Sequence, residues 1–212
     1  MSPTAIGSDV LSANERDLIL QAMAECCAER GYLETELEAV IERAGVERKS
    51  FESHFTGKED CALAALNSIV SETLAEVSTA RHVESEAERR VFQIKAILEL
   101  MRARGAFARL IFIAARQGAS ERMADGYRSA AHVLALMMER AQGTGPVPPP
   151  KAGRAALGGA EALVRRELVA GKDRDLTRLL PDFVYAALVP FAGQREALRQ
   201  SKLARQVIAE EE

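Results

Sequence analysis

The chain has little of what most enzymes use. Its three histidines, His54, His82 and His132, stand beside no cysteine or serine in a nucleophile setting, and no phosphate-binding loop is present. The three cysteines, Cys26, Cys27 and Cys61, are odd in number, and the adjacent pair falls on an apolar helical stripe. They are expected as buried, reduced thiols, and with no histidine nearby they make no zinc spacing. Catalysis, a cofactor and a metal are therefore not expected. No apolar run approaches the roughly 18 residues that a membrane helix needs, and MSPTAIGSDVLS lacks the basic start and apolar stretch of a secretory signal. A cytoplasmic protein with no membrane partner is the expectation. The first eleven residues carry no lysine or arginine, so no basic arm is available for a minor groove. A formal net charge of −3 gives no bulk attraction to nucleic acid, and any such contact must come from a local patch.

What is present is an ordinary globular mixture, 48% apolar and 28% charged. A chain of this length can bury about 70% of its unfolded surface. The stretch around which the rest is organised is TELEAVIERAGVERKSFESHFTGK, from Thr35 to Lys58. Thr35 and Glu38 have capping-box spacing, which predicts a helix from Glu36 with Val40, Ile41 and Ala44 on its apolar side. Gly45 suits a left-handed helix stop, and a second helix should run from about Glu47 to Phe55. Helix, glycine turn, helix is the plan whose second helix enters the major groove of DNA. Phe51 and Phe55, four apart, should bury together, which turns Lys49, Ser50 and Ser53 outward. Arg48 falls in the first turn, where base edges are usually reached, and Glu52 and His54 flank the exposed side. Thr56 and Glu59 are spaced to open a long helix, placing Lys58 at a helix start where a phosphate can bind.

At these residues the chain resembles the tetracycline-repressor-like (TetR) family of transcriptional regulators. The match begins at Arg16 and includes Leu18, Ile19, Leu20, Ala22, Gly31, Tyr32 and Thr35. It continues through AGV at 44–46, SF at 50–51, HF at 54–55 and KE at 58–59. The resemblance implies an all-α protein with a three-helix helix-turn-helix DNA-binding domain over 1–56 and a larger helical ligand-binding and dimerisation domain over 57–212. It also implies a homodimer on a double-stranded operator, with repression relieved by a small molecule. The implied DNA-contacting residues are Thr35, Glu36, Glu47, Arg48, Lys49, Ser50, Glu52, Ser53, His54 and Lys58. Family members commonly carry threonine at the position of Glu36, alanine at Ile41, serine or threonine at Glu47 and tyrosine at Glu52.

Three of those four departures are acidic. Between Tyr32 and Asp60 four basic residues (Arg43, Arg48, Lys49, Lys58) face eight acidic ones (Glu34, Glu36, Glu38, Glu42, Glu47, Glu52, Glu59, Asp60). Duplex affinity rests largely on cationic contacts that release counterions. Some of these acids have cap roles or wet faces, and Glu52 can accept from a cytosine amino group or pair with Arg48 one turn away. The alternative is a TetR-like ligand sensor or protein-binding dimer with weakened operator binding.

The rest of the chain reads as further helices, about nine in all by apolar period. Residues 1–11 look loose, and Ser12 with Glu15 is spaced to start the first helix, which ends at Gly31. The helix from Thr56 runs to about Thr79, Arg81 to Glu84 is a break, and Ser85 with Glu88 starts a helix to about Arg104. Gly105 precedes a short, apolar helix, Gln117 to Ser120 turns the chain, and another helix spans roughly 121–141. The Gly/Pro-rich 142–153 is a loop, and helices follow near 154–170 and 175–192, divided at Gly171, with Pro190 ending or kinking the second. Residues 194–209 add a terminal helix. A mostly hydrophobic effector would be lined by Phe92, Met101, Phe107, Phe112, Tyr127, His132 and Met137, with Tyr127 and His132 as polar anchors. The stripes Leu157, Ala160, Leu163, Val164, Leu168 and Leu180, Phe183, Val184, Ala187, Leu188 are the expected dimer interface, which would set two reading helices about 34–36 Å apart or somewhat further.

Overall fold

The computed structural model describes residues 3–79, 85–113, 120–140 and 151–210, and among them the chain is helix and turn without a strand. In order these are α1 (Pro3–Arg30), α2 (Leu37–Ala44), α3 (Arg48–His54), α4 (Lys58–Thr79), α5 (Glu86–Ala103), α6 (Gly105–Phe112), α7 (Glu121–Arg140), α8 (Ala152–Val169), a 3-10 segment (Asp173–Leu179) and α9 (Leu180–Ala209). The all-α expectation holds. The expected break at Arg81 to Glu84, the first three residues of the turn at Gln117 to Ser120, and most of the loop 142–153 lie outside the described residues.

Two starts differ from the capping reading. The first helix does not begin at Ser12: α1 runs from Pro3, which suits a first turn because its missing N–H would go unpaired there anyway. Glu15, assigned to that cap, instead accepts a hydrogen bond from Ser50 of α3. At Ser85 the serine half of the box forms, with Glu88 N–H donating to the Ser85 hydroxyl at 3.5 Å.

The chain divides into two compact units, Met1–Ile69 with Ala106–Tyr127, and Val70–Gly105 with Arg128–Glu212. In the first, α2 and α3 pack on α1. Ile19, Met23, Cys26, Cys27, Val40, Phe51, Phe55, Cys61 and Leu66 are buried. The thiols are free as expected. Burial pushes Cys27 up to about 11 and raises Cys26 and Cys61 too, which keeps all three protonated and unreactive.

In the second unit α5, α8, α9 and the 3-10 segment pack together. Gly171, at φ 71°, closes α8: its N–H donates to Leu168 O (3.1 Å) and the Lys172 N–H to Glu167 O (2.9 Å). Pro190 lies inside α9, and the expected kink falls just beyond it, at the boundary between 175–192 and 194–209. The helical path fails three residues later at Gly193 (φ 76°, ψ 168°), a conformation open essentially to glycine alone. The ring removes one helical donor, and the glycine is where the chain gives way.

The expected dimer stripes are corrected by their burial. Leu157, Ala160, Val164, Leu168, Leu180, Phe183, Val184, Ala187 and Leu188 are all buried within one chain, and Leu163 is half-buried. A side chain that fills its own chain's core cannot also cover a partner. The apolar stripe was wide enough to suggest both uses, and the core takes it.

Candidate nucleic-acid interface

The turn between α2 and α3 is built as a left-handed stop. Gly45 sits at φ 66°, ψ 30°, its N–H donating to Glu42 O and the Val46 N–H to Ile41 O, so two carbonyls at the end of α2 are satisfied. Phe51 and Phe55 are buried with ring centroids 5.5 Å apart, and the Arg16 guanidinium lies over the Phe55 ring at 5.5 Å. This contact and the Glu15–Ser50 bond fix α3 on α1, and with it the direction of the exposed face.

The cap predicted for the first short helix does not form. Thr35 is buried and its hydroxyl donates to Gly31 O at 2.7 Å, so it caps the end of α1 and not the start of α2. Glu36 and Glu47 occupy the two N-cap positions in extended backbone, both exposed and neither making a side-chain cap bond. Each carboxylate therefore stands where a helix start would otherwise attract phosphate. At α4, Thr56 is not a cap either: its N–H and hydroxyl donate to Asp60 Oδ2 (3.0 and 3.1 Å). Glu59 accepts from Ser120 and lies 3.9 Å from Arg122.

The four cations between Tyr32 and Asp60 have different fates. Arg43 makes a two-pronged pair with Glu29 (2.6 and 2.7 Å), which holds that carboxyl below its usual range. Lys58, expected at a phosphate, donates to Thr35 O (2.8 Å), Tyr32 O (3.1 Å) and Leu33 O (3.4 Å) and lies 4.6 Å from the centre of the Tyr32 ring. Its three hydrogens are committed to the turn between α1 and α2. Arg48 donates to Glu38 and sits 3.7 Å from Glu52, so the expected one-turn pair forms and gains a partner from α2. Glu38 is thus not a helix cap. Lys49 is exposed, with no hydrogen bond or ion pair among the described residues.

Two residues assigned to the outer face turn inward. Ser50 is half-buried against Glu15, and the His54 side chain is only 11% exposed, 3.9 Å from the same carboxylate. The face left to solvent carries Arg48, Lys49, Glu52 and Ser53, whose hydroxyl is turned onto Ser50 O at 2.6 Å. Sequence reasoning missed Glu15, Arg16 and Glu38 as positioning residues. Glu15 and Ser50 are 35 residues apart, and nothing local signals the pairing.

The effector residues fall in both units. Phe107 is buried and Phe112 and Tyr127 are half-buried in the first; Met101 is buried in the second, where Phe92 is 37% exposed. His132, expected as a polar anchor, is exposed. The Met137 side chain lies outside the described residues. No group of three or more potential metal ligands occurs among the described residues, and no helix among them is long and apolar enough to cross a membrane.

Residues 19–65, from the body of α1 to the first turns of α4, match the family model described as bacterial regulatory proteins, tetR family. No curated protein matches the chain in sequence. Solved structures share its fold. The fatty acid degradation regulator FadR of Bacillus halodurans is 18% identical with a TM-score of 0.69, over 84% of this chain and 98% of that one. TylP of Streptomyces fradiae, a TetR regulator, is 18% identical with a TM-score of 0.67, over 93% and 97%. FadR of Bacillus subtilis, solved with stearoyl-CoA, is 17% identical with a TM-score of 0.64, over 83% and 97%. With the glycine-turned pair of helices and the buried Phe51–Phe55 contact, this match shows that residues 19–65 form the N-terminal segment of the tetR family of bacterial regulatory proteins.

Proposed function

We propose that the protein is a repressor that binds a double-stranded operator as a homodimer and leaves it when a small, mostly hydrophobic molecule binds the helical body. The observation that carries this reading is the fixed, outward face of α3, with Arg48 and Lys49 in its first turn and its back held by Phe51, Ser50 and His54. A face so held is ready to enter a groove without reordering. The hydrophobic effector is supported by the stearoyl-CoA bound in the Bacillus subtilis neighbour. For the dimer, small residues among those α8 leaves exposed, Ala155, Gly158, Gly159 and Ala162, take the place of the buried stripe as the contact surface. These four share one face and permit close approach of a second helix, with the exposed Arg166 one turn further along the same face.

A second reading, a ligand sensor or protein-binding dimer with weak operator affinity, is favoured by the charge around α3. Glu36 and Glu47 sit at the helix starts, and Arg48 is paired with Glu38 and Glu52. Selection from random duplexes at low salt, with and without cell-extract metabolites, separates the two. Repressor function requires an enriched semi-palindromic site whose binding falls with some extract fraction. Absence of any enriched duplex leaves the sensor reading.

A further inference from the structure

We propose that, on the operator reading above, Arg48 and Glu52 act as a paired reader of guanine and cytosine, so that each half-site carries a G and, one or two base pairs away, a C. The Arg48 guanidinium is held between two helices, hydrogen-bonded to Glu38 of α2 and 3.7 Å from Glu52 of α3. Of its five N–H donors only one is taken by a hydrogen bond among the described residues, which leaves enough for the O6 and N7 acceptors of a guanine. A guanidinium oriented beforehand loses less freedom when it meets that edge.

Glu52 is the more selective half. An ionised carboxylate only accepts, and guanine and thymine show it acceptors in the major groove. Adenine offers its amino group beside the acceptor N7, while cytosine offers an amino donor with no acceptor on the same base. Cytosine is therefore the base that Glu52 tolerates best. Four residues on a helix advance about 6 Å, and stacked bases are about 3.4 Å apart, so the two contacts fall one or two steps from each other. Glu38 is a positioning residue: it touches Arg48 and acts through it.

The test is duplex selection with the full chain, unaltered and as Glu52→Gln, Arg48→Ala and Glu38→Gln, each checked for unchanged helicity by circular dichroism. The unaltered chain should select a G with a C one or two pairs away. Glu52→Gln should change only the C position, toward adenine, which glutamine reads at two points, with a shift in preference of roughly 5- to 150-fold. Arg48→Ala should erase the G position, and Glu38→Gln should relax it while leaving the C. A Glu52→Gln site identical to the unaltered one overturns the paired reader while the operator reading stands. No enriched duplex for the unaltered chain overturns both.

Discussion

Replacing Lys58 with methionine separates a structural lysine from a phosphate contact. Lys58 Nζ donates to carbonyls at 2.8, 3.1 and 3.4 Å and lies over the Tyr32 ring at 4.6 Å. A hydrogen bond from a charged group contributes about 1.5–3 kcal/mol net, and a partly exposed cation–π contact about 0.5–1 kcal/mol. The 3.4 Å bond is weak, the lysine is half-buried, the contacts are not additive, and methionine keeps most of the stem's packing. A loss of about 2–3 kcal/mol follows. With a denaturant slope of about 2–3 kcal/mol per molar, the urea midpoint followed by circular dichroism at fixed protein concentration should fall by roughly 1 M. An unchanged midpoint together with lost DNA binding would refute the structural role and return Lys58 to the phosphate backbone.

Gly45→Ala meets open space, yet forces a side chain into left-handed backbone, so it should cost about 1–2 kcal/mol in a thermal or urea melt. Glu196 is pulled down to about 2, chiefly by its hydrogen bond from Arg199 (2.6 Å) and also by Gln200 (2.6 Å). Because the folded carboxyl titrates below the ordinary value of 4.5, its contribution is complete above that pH and is lost as pH falls toward about 2. Glu196→Gln should therefore lower stability near neutral pH and weaken its dependence on acid in that window; parallel acid-unfolding curves for the two proteins would contradict this. Gly158 has open space at its Cβ, so Gly158→Arg should keep the fold but turn the proposed dimer to monomer in sedimentation; an unchanged dimer would place the interface elsewhere.

The apolar period was enough to read most of the helices, because the spacing of buried residues sets a helix's facing wherever the core is. The glycine stops at Gly45 and Gly171 were legible for a related reason: positive φ singles out that residue. Capping boxes were legible only in part, since a Ser/Thr followed by Glu records possible partners and not chosen ones. Ser85 uses its Glu88 N–H, whereas Thr35 turns to Gly31, Thr56 to Asp60, and Glu15 to Ser50. The site was legible as a stretch of chain but not as a face. Ser50 and His54 look outward by helical position, yet α1 brings Glu15 against both. The dimer stripes failed on the opposite account: burial within the chain and burial between chains leave the same apolar pattern.

Dimethyl sulfate attacks guanine N7, which faces the major groove, so methylation protection by the full chain on a selected duplex reads the meeting of α3 with base edges. Protection should appear as two patches about 10 base pairs apart or somewhat further, and Arg48→Ala should abolish it at the guanine in each patch. Guanines left fully reactive on a bound duplex, or protection that survives Arg48→Ala unchanged, would show that the outer face of α3 does not enter the groove.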